Sequence, residues 1–225
     1  NLSSLNNVLE ACASSNIKNL IYLSSYTVYG ATIDNPEYIT EKFEPRPMAG
    51  FQYGTVKLVS EDLIQKFKIK HPDVNVTILR CCMVFGTHRN NYVADSFRKP
   101  LLVRIAGYDP PIQFIHESDL VKLLALLSTT PIPGTFNVAG NGTIRYSKFL
   151  KLMRSKAIVL PSFLAYPLVQ LTWKLGLQKS SHSIGLNFIR YPIILSTDKL
   201  KQATKFEFQY SSEEAVLAYI NSHIN

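Results

Sequence analysis

Phe51-Gln52-Tyr53-Gly54-Thr55-Val56-Lys57 opens a segment that runs on through Leu58, Leu63, Ile64 and Phe67. Its apolar residues recur at three- and four-residue spacing, which predicts an amphipathic helix of roughly four turns or more. Residues i and i+4 share a helix face, so the Tyr53 phenol and the Lys57 ammonium project side by side. A free phenol ionises at about pH 10 and is a poor base at neutral pH, whereas a cation beside a phenol favours its ionised form. The pair is therefore a candidate for acid–base work. Tyr-x-x-x-Lys is short and also fits an ordinary half-exposed helix, so its weight comes from what surrounds it.

Upstream, Leu20-Ile21-Tyr22-Leu23-Ser24-Ser25-Tyr26-Thr27-Val28-Tyr29-Gly30 is an apolar run closing on paired hydroxyls and a glycine. Downstream come Val76-Thr77-Ile78-Leu79-Arg80-Cys81-Cys82-Met83-Val84-Phe85-Gly86, then Gln113-Phe114-Ile115-His116-Glu117-Ser118-Asp119-Leu120 and Gly134-Thr135-Phe136-Asn137-Val138-Ala139-Gly140. These runs predict a buried parallel strand over 20–24, apolar on both faces, and further core strands over 74–79 and 135–139. Ligands of open α/β sheets sit at the carboxyl ends of strands, where Ser24 and Ser25 fall. Serines that merely satisfy turn backbone groups are the plainer alternative.

In order and spacing these five blocks resemble the extended short-chain dehydrogenase/reductase family, its NAD-dependent epimerase/dehydratase group, over nearly the whole chain. The resemblance implies an α/β fold, the C-terminal part of a Rossmann-type parallel sheet with a small α/β substrate lobe. It implies that Ser25 hydrogen-bonds the reacting oxygen, that Tyr53 moves its proton, and that Lys57 holds the ribose of NAD or NADP. Ser24, Cys81 and Val84 would border the cofactor together with Tyr53 and Lys57. Thr27, Met83 and Arg190 would face the substrate. Sugar dehydratases of the group keep an Asp-Glu pair where Tyr26 and Thr27 stand, so 4,6-dehydration is not expected. Two further departures concern nucleotide sugars. Members acting on them usually carry Asn where Met83 stands and often Arg where Ile112 stands. A thioether lacks the donor and acceptor of an amide, and isoleucine lacks the fork that grips a phosphate. Arg190, in Phe188-Ile189-Arg190-Tyr191-Pro192, does match another phosphate-contacting arginine of the group.

Composition narrows the class without naming it. A chain of 225 residues holds one large domain, or a domain with a smaller lobe. Lys plus Arg exceed Asp plus Glu, 24 against 16. The basic residues read as scattered, without a Lys/Arg-rich block or nucleic-acid motif, so an anionic substrate or cofactor accounts for them. Cys12, Cys81 and Cys82 form neither a disulfide framework nor a C-x-x-C metal pattern. No metal is expected, and reduced, buried thiols fit a cytoplasmic protein.

The rest of the chain follows that frame. Residues 1–15 have helical spacing from the first residue, which predicts an N-terminally truncated piece. The family's strand and Gly-x-x-Gly-x-x-Gly turn do not occur in it, so alone it is expected to be inactive and to bind no dinucleotide. Residues 31–49, with Pro36, Pro45 and Pro47, predict an irregular loop. His88 to Ile105 predicts a helix and strand, with Arg89, Arg98, Lys99 and Arg104 on a solvated face. Ser118 and Asp119 supply N-cap chemistry for a helix starting at Leu120, which makes His116 and Asp119 structural. Residues 157–177 are the most apolar stretch, broken by Pro161 and Pro167. Helices packed into the lobe are expected there, ahead of a surface resting on lipid. Ser211 to Glu214 carries a capping-box pattern.

The expected organisation is a partial dinucleotide-binding core over 1–86 and 113–140, with the substrate lobe and closing helices over 87–112 and 141–225. The complete protein is expected to pass hydride at a secondary alcohol or ketone carbon, as in nucleotide-sugar epimerisation. A reductase or dehydrogenase on a non-nucleotide hydroxy substrate, or a non-catalytic scaffold, are the alternatives. The partner is a small-molecule substrate, with no nucleic acid, and a homodimer is implied by the resemblance.

Overall fold

The computed structural model describes residues 2–87, 96–97, 101–177 and 182–223. Helix α1 (Leu2–Ser14) leads into strand β1 (Asn19–Ser25), and a 3-10 turn (Tyr26–Tyr29) follows. The irregular loop comes next, then α2 (Gln52–Lys70) and β2 (Asn75–Cys81). Strands β1 and β2 pair in parallel from Asn19 opposite Asn75 to Ser25 opposite Cys81. Strand β7 (Gly134–Val138) pairs in parallel on the other side of β2, giving the order β1-β2-β7. All three strands run the same way, and helices connect them, so their carboxyl ends meet at one rim of the sheet.

Strand β2 is central and buried along nearly its whole length. In β1 only Ser24 and Ser25 are buried, and Leu23 is 38% exposed, which corrects the expectation of a strand covered on both faces. Among the described residues β1 pairs with β2 alone.

Beyond the sheet, β3 (Met83–Phe85) pairs with β6 (Phe114–His116), β4 (Leu102–Ile105) with β9 (Ala157–Leu160), and β5 (Pro111–Ile112) with β8 (Ile144–Arg145). The remaining helices are α3 (Glu117–Thr129), α4 (Tyr146–Leu152), α5 (Ser162–Lys174), α6 (Asp198–Thr204) and α7 (Ser212–His223). One core cluster joins Val28, Tyr29, Leu79, Ile115, Leu123 and Val138. A second gathers Phe85, Phe114, Phe149 and Tyr219, whose rings meet at centroid distances of 4.6 to 5.9 Å.

Three local expectations change. The N-cap of α3 is His116, whose ring nitrogen accepts from Ser118 N at 3.1 Å, because the helix starts at Glu117. Asp119, fully buried, instead accepts from Gln209 N and Tyr210 N at 3.0 and 3.1 Å, tying α3 to the segment before α7. Residues 157–160 form a strand rather than helix, since Leu102 to Ile105 offers them a pairing edge. Helix α5 packs into the lobe on one side, where Ala165 is fully buried and Tyr166 and Val169 join Ile105, Leu186 and Ile189, while Phe163 on it is 73% exposed. The capping box forms as expected, with Ser211 N donating to Glu214 at 2.7 Å and Glu214 N to Ser211 Oγ at 3.2 Å. Arg89 and the proposed helix after His88 lie outside the described residues, as do Arg98 and Lys99.

Candidate active site

The site is built where β1 ends. Ser25 closes the strand in extended conformation and caps the 3-10 turn, accepting from Thr27 N at 3.3 Å and from Thr27 Oγ1 at 3.0 Å. Gly30 then takes φ +72°, a conformation natural to glycine, and sends the chain into the loop. Helix α2 docks on this turn through Gly54. A Cβ built there would stand 2.7 Å from Thr27 O, so only glycine permits the approach.

Tyr53, Lys57 and Glu61 follow one another at four-residue spacing on α2 and so share a face. Lys57 Nζ donates to Leu23 O at 2.6 Å and lies 4.8 Å from the Tyr22 ring centroid and 5.8 Å from that of Tyr53. Glu61 is buried and accepts from Ser24 Oγ and, through both oxygens, from Arg80. The closest contact of that pair is 2.6 Å, with both side chains under 10% exposed (8% and 5%). Arg80 also donates to Tyr29 OH at 2.9 Å, Tyr29 donates to Asn137 Oδ1 at 2.8 Å, and Asn137 N donates to Glu41 at 2.7 Å. One polar chain thus links α2, all three strands and the loop beneath the site. No motif in the sequence singles out either Glu61 or Arg80. Their signal is an acid on the buried face of α2 and an arginine inside an apolar strand, each of which requires a partner.

A cavity of about 1210 Å³ opens above this frame. Ser24, Ser25, Thr27, Tyr53, Lys57, Cys81, Met83 and Val84 all border it. Phe51 and Phe188, with ring centroids 4.9 Å apart, form an aromatic wall next to Tyr53. Burial pushes the Cys81 thiol up to about 12, against the nearby Lys57 charge, and raises the Tyr26 phenol as well. Both stay neutral at physiological pH. Arg190 is not brought to the cavity. Its guanidinium donates to Tyr108 OH at 3.1 Å and lies 4.8 and 5.0 Å from the Tyr108 and Tyr191 ring centroids. Among the described residues lining the cavity the charged ones are Lys57 and Glu117, and Glu117 accepts from Thr87 N and Oγ1 at 2.7 and 2.9 Å. No group of three or more metal-ligating side chains occurs among the described residues.

A hydroxyl at the end of a strand, with a phenol and an ammonium one helical turn apart, thus borders one hollow at the carboxyl rim of a parallel sheet. The NAD dependent epimerase/dehydratase family model matches residues 1–139. The chain belongs to that family. An uncharacterized protein of Mycobacterium tuberculosis (strain ATCC 25618 / H37Rv) is 22% identical over 204 residues, covering 88% of this chain and 53% of its own length. UDP-glucose 4-epimerase of Yersinia enterocolitica is 34% identical over 91 residues, 40% of this chain and 26% of that protein. The crystal structure of UDP-N-acetylglucosamine 4-epimerase from Bacillus cereus superposes with TM-score 0.67 at 18% identity, over 97% of this chain and 70% of that one. UDP-glucuronic acid 4-epimerase from Bacillus cereus, in complex with UDP-glucuronic acid and NAD, gives TM-score 0.70 at 18% identity over 97% and 65%. The likeness to these structures establishes the Rossmann-type fold. The chain spans about half the length of the first curated relatives it matches.

Proposed function

We propose that this chain carries the catalytic site of an NAD(P)-dependent enzyme that oxidises and reduces a secondary alcohol carbon, with 4-epimerisation of a sugar as the leading activity. The observation that carries this is the convergence of Ser25, Tyr53 and Lys57 on one cavity at the carboxyl rim of the sheet. Relatives named as UDP-glucose 4-epimerases support the choice of reaction. The segments 87–112 and 141–225 serve as the substrate lobe, and a homodimer is part of the same reading.

The residues present suit the nicotinamide-ribose end of a dinucleotide. Lys57 has three donors and spends one on Leu23 O, which leaves others for ribose hydroxyls. Cys81 and Val84 give neutral walls beside it. When bound, the nicotinamide supplies the acceptor and donor of hydride. Tyr53 takes the proton of the substrate hydroxyl as that carbon is oxidised and returns it on reduction. Ser25 orients the oxygen, with its own hydroxyl fixed by Thr27. Lys57 places positive charge beside the phenol. The half-exposed Tyr53 ring can meet a substrate without unfolding anything around it.

An epimerase ends with its cofactor in the starting state, whereas a dehydrogenase turns it over. Full-length protein incubated with UDP-glucose or UDP-galactose should interconvert them with no lasting change in reduced-nicotinamide absorbance. Tyr53→Phe should lower turnover by about 10²-fold or more, in line with loss of a general acid–base, with unchanged melting temperature. Undiminished activity in that variant would remove Tyr53 from the mechanism. A second reading, oxidation or reduction of a non-nucleotide hydroxy substrate, is favoured by Met83 and Ile112 on the cavity wall and by Arg190 standing away from it.

A further inference from the structure

The excess positive charge is not spread along the chain. Residues 120–197 hold nine Lys/Arg and no Asp or Glu, and the rest of the chain holds 15 basic against 16 acidic residues. Within that basic segment, residues 157–173 carry no charge and are flanked by Lys156 and Lys174, both exposed. They form β9 and α5. A helix that is apolar all round belongs in a core or against lipid. Helix α5 is largely apolar, and only Ala165, Tyr166 and Val169 of it pack into a core cluster, with Ile105 and Leu186. It turns Val169 and Thr172 towards the cavity and leaves Phe163, Leu171 and Trp173 exposed by 73%, 53% and 42%.

The cavity and this face are continuous. Leu168 lines the cavity and is 44% exposed, and Leu177 lines it at 73% exposed. Ser25, Tyr53 and Lys57 border the same cavity. Val169, Leu186 and Ile189 are part of its apolar wall, with no arginine among the described lining residues to grip a diphosphate.

We propose that the site acts on an amphiphile, a secondary alcohol or ketone carried on a long apolar tail, taken from an anionic lipid surface on which α5 rests. The tail lies between Val169 and Leu186 and leaves past Leu168, while the reacting carbon reaches Tyr53. The flanking lysines meet lipid phosphates, their stems covering apolar surface as their ammonium groups reach the headgroups. No helix of the described residues is long and apolar enough to cross a membrane, so the contact is interfacial. This substrate class rests on the redox reading of the Tyr53 site; the lipid contact does not.

The test uses full-length protein and sedimentation with vesicles of phosphatidylcholine, alone or mixed with an equal part of phosphatidylglycerol. Binding to the mixed vesicles should be about tenfold or more stronger, a difference of about 1.4 kcal/mol. It should weaken as salt rises from about 0.1 M to about 0.5 M, where charges are screened over shorter distances. Phe163→Asp with Leu171→Asp, both at exposed positions, should abolish binding and leave the melting temperature unchanged. Equal binding to both vesicles, none to either, or wild-type binding by the double variant overturns the proposal. So does a change from dimer to monomer in that variant without vesicle binding, which would show a second copy on this face. Calorimetry with NAD present then compares decyl β-D-glucoside, below its micellar concentration, with UDP-glucose. The glucoside should bind about tenfold more tightly, and Val169→Glu should weaken it selectively. Tighter binding of UDP-glucose overturns the tail site. Neither measurement needs turnover, so an active Tyr53→Phe variant would refute the proposed chemistry and leave these results readable.

Discussion

Arg80→Leu is the substitution that most directly tests how the site is held. In the native protein the Arg80 guanidinium meets both oxygens of Glu61, at 2.6 and 3.1 Å, with both side chains under 10% exposed (8% and 5%). Removing the arginine leaves a carboxylate in that position with the Ser24 hydroxyl as its remaining partner. It also strips Tyr29 OH of a donor. Breaking a buried pair from one side costs about 3–5 kcal/mol, because the surviving charge stays dehydrated and uncompensated. For a domain of this size that lowers the melting temperature by roughly 6–20 °C. Arg80→Leu combined with Glu61→Leu removes both charges, and the double variant should recover to within about 1–2 kcal/mol of wild type. Thermal and urea melts of the four proteins close the cycle. If Arg80→Leu costs under about 1 kcal/mol, water reaches the pair and the network is not the buried brace described above. If the two losses simply add, Glu61 and Arg80 act on separate parts of the fold.

Two other outcomes are expected. Gly54→Ala gains about 1 kcal/mol in helix propensity, but its methyl would lie 2.7 Å from the Thr27 carbonyl oxygen, which backbone cannot yield cheaply. Net destabilisation of about 1–3 kcal/mol should appear in melts, together with lost turnover, since α2 must back away from the turn that follows Ser25; a more stable, active variant would refute the close docking. Burial raises the Cys81 thiol from 9.0 to about 12. The folded state therefore keeps a proton that the unfolded chain releases, so the associated stability is full below about pH 9 and is lost as pH rises towards 12. Melting temperature should fall over that window, and Cys81→Ala should flatten the slope; an unchanged slope would mean that the thiol ionises in place.

Much of this arrangement was legible in the sequence because it is local. Helix period puts Tyr53 and Lys57 one turn apart and the apolar run ends at Ser25; that these groups border one hollow was what the family resemblance implied. The parts that were not legible depend on long-range pairing. Residues 157–160 became a strand because β4 offers an edge, which no local pattern announces. Arg190 looked like a phosphate ligand from its motif, yet Tyr108 and Tyr191 claim its guanidinium from distant and adjacent positions. Strand β1 has the composition of an inner strand, while in this chain it pairs with β2 alone among the described residues. Composition reports the environment a strand is suited to, and pairing reports the one it occupies.

That distinction bears on how reaction and substrate are divided in this chain. The frame under the proposed Ser25–Tyr53–Lys57 site is tied to the sheet by short polar contacts: Lys57 to Leu23 O, Ser24 to Glu61, Glu61 to Arg80. Ser25, Tyr53 and Lys57 sit on elements whose register fixes them, so the chemistry they can perform is set by the fold. Another wall of the same cavity comes from β4, β9, α5 and the turn at residues 183–189, where apolar side chains meet. Sequence change on that wall alters what the hollow accepts while leaving Tyr53 where it is. Met83 and Ile112 stand on the boundary between the two. Neither side chain offers the hydrogen bonds that an amide or a guanidinium would, and neither touches the Glu61–Arg80 brace, so polarity at these two positions can change without disturbing it.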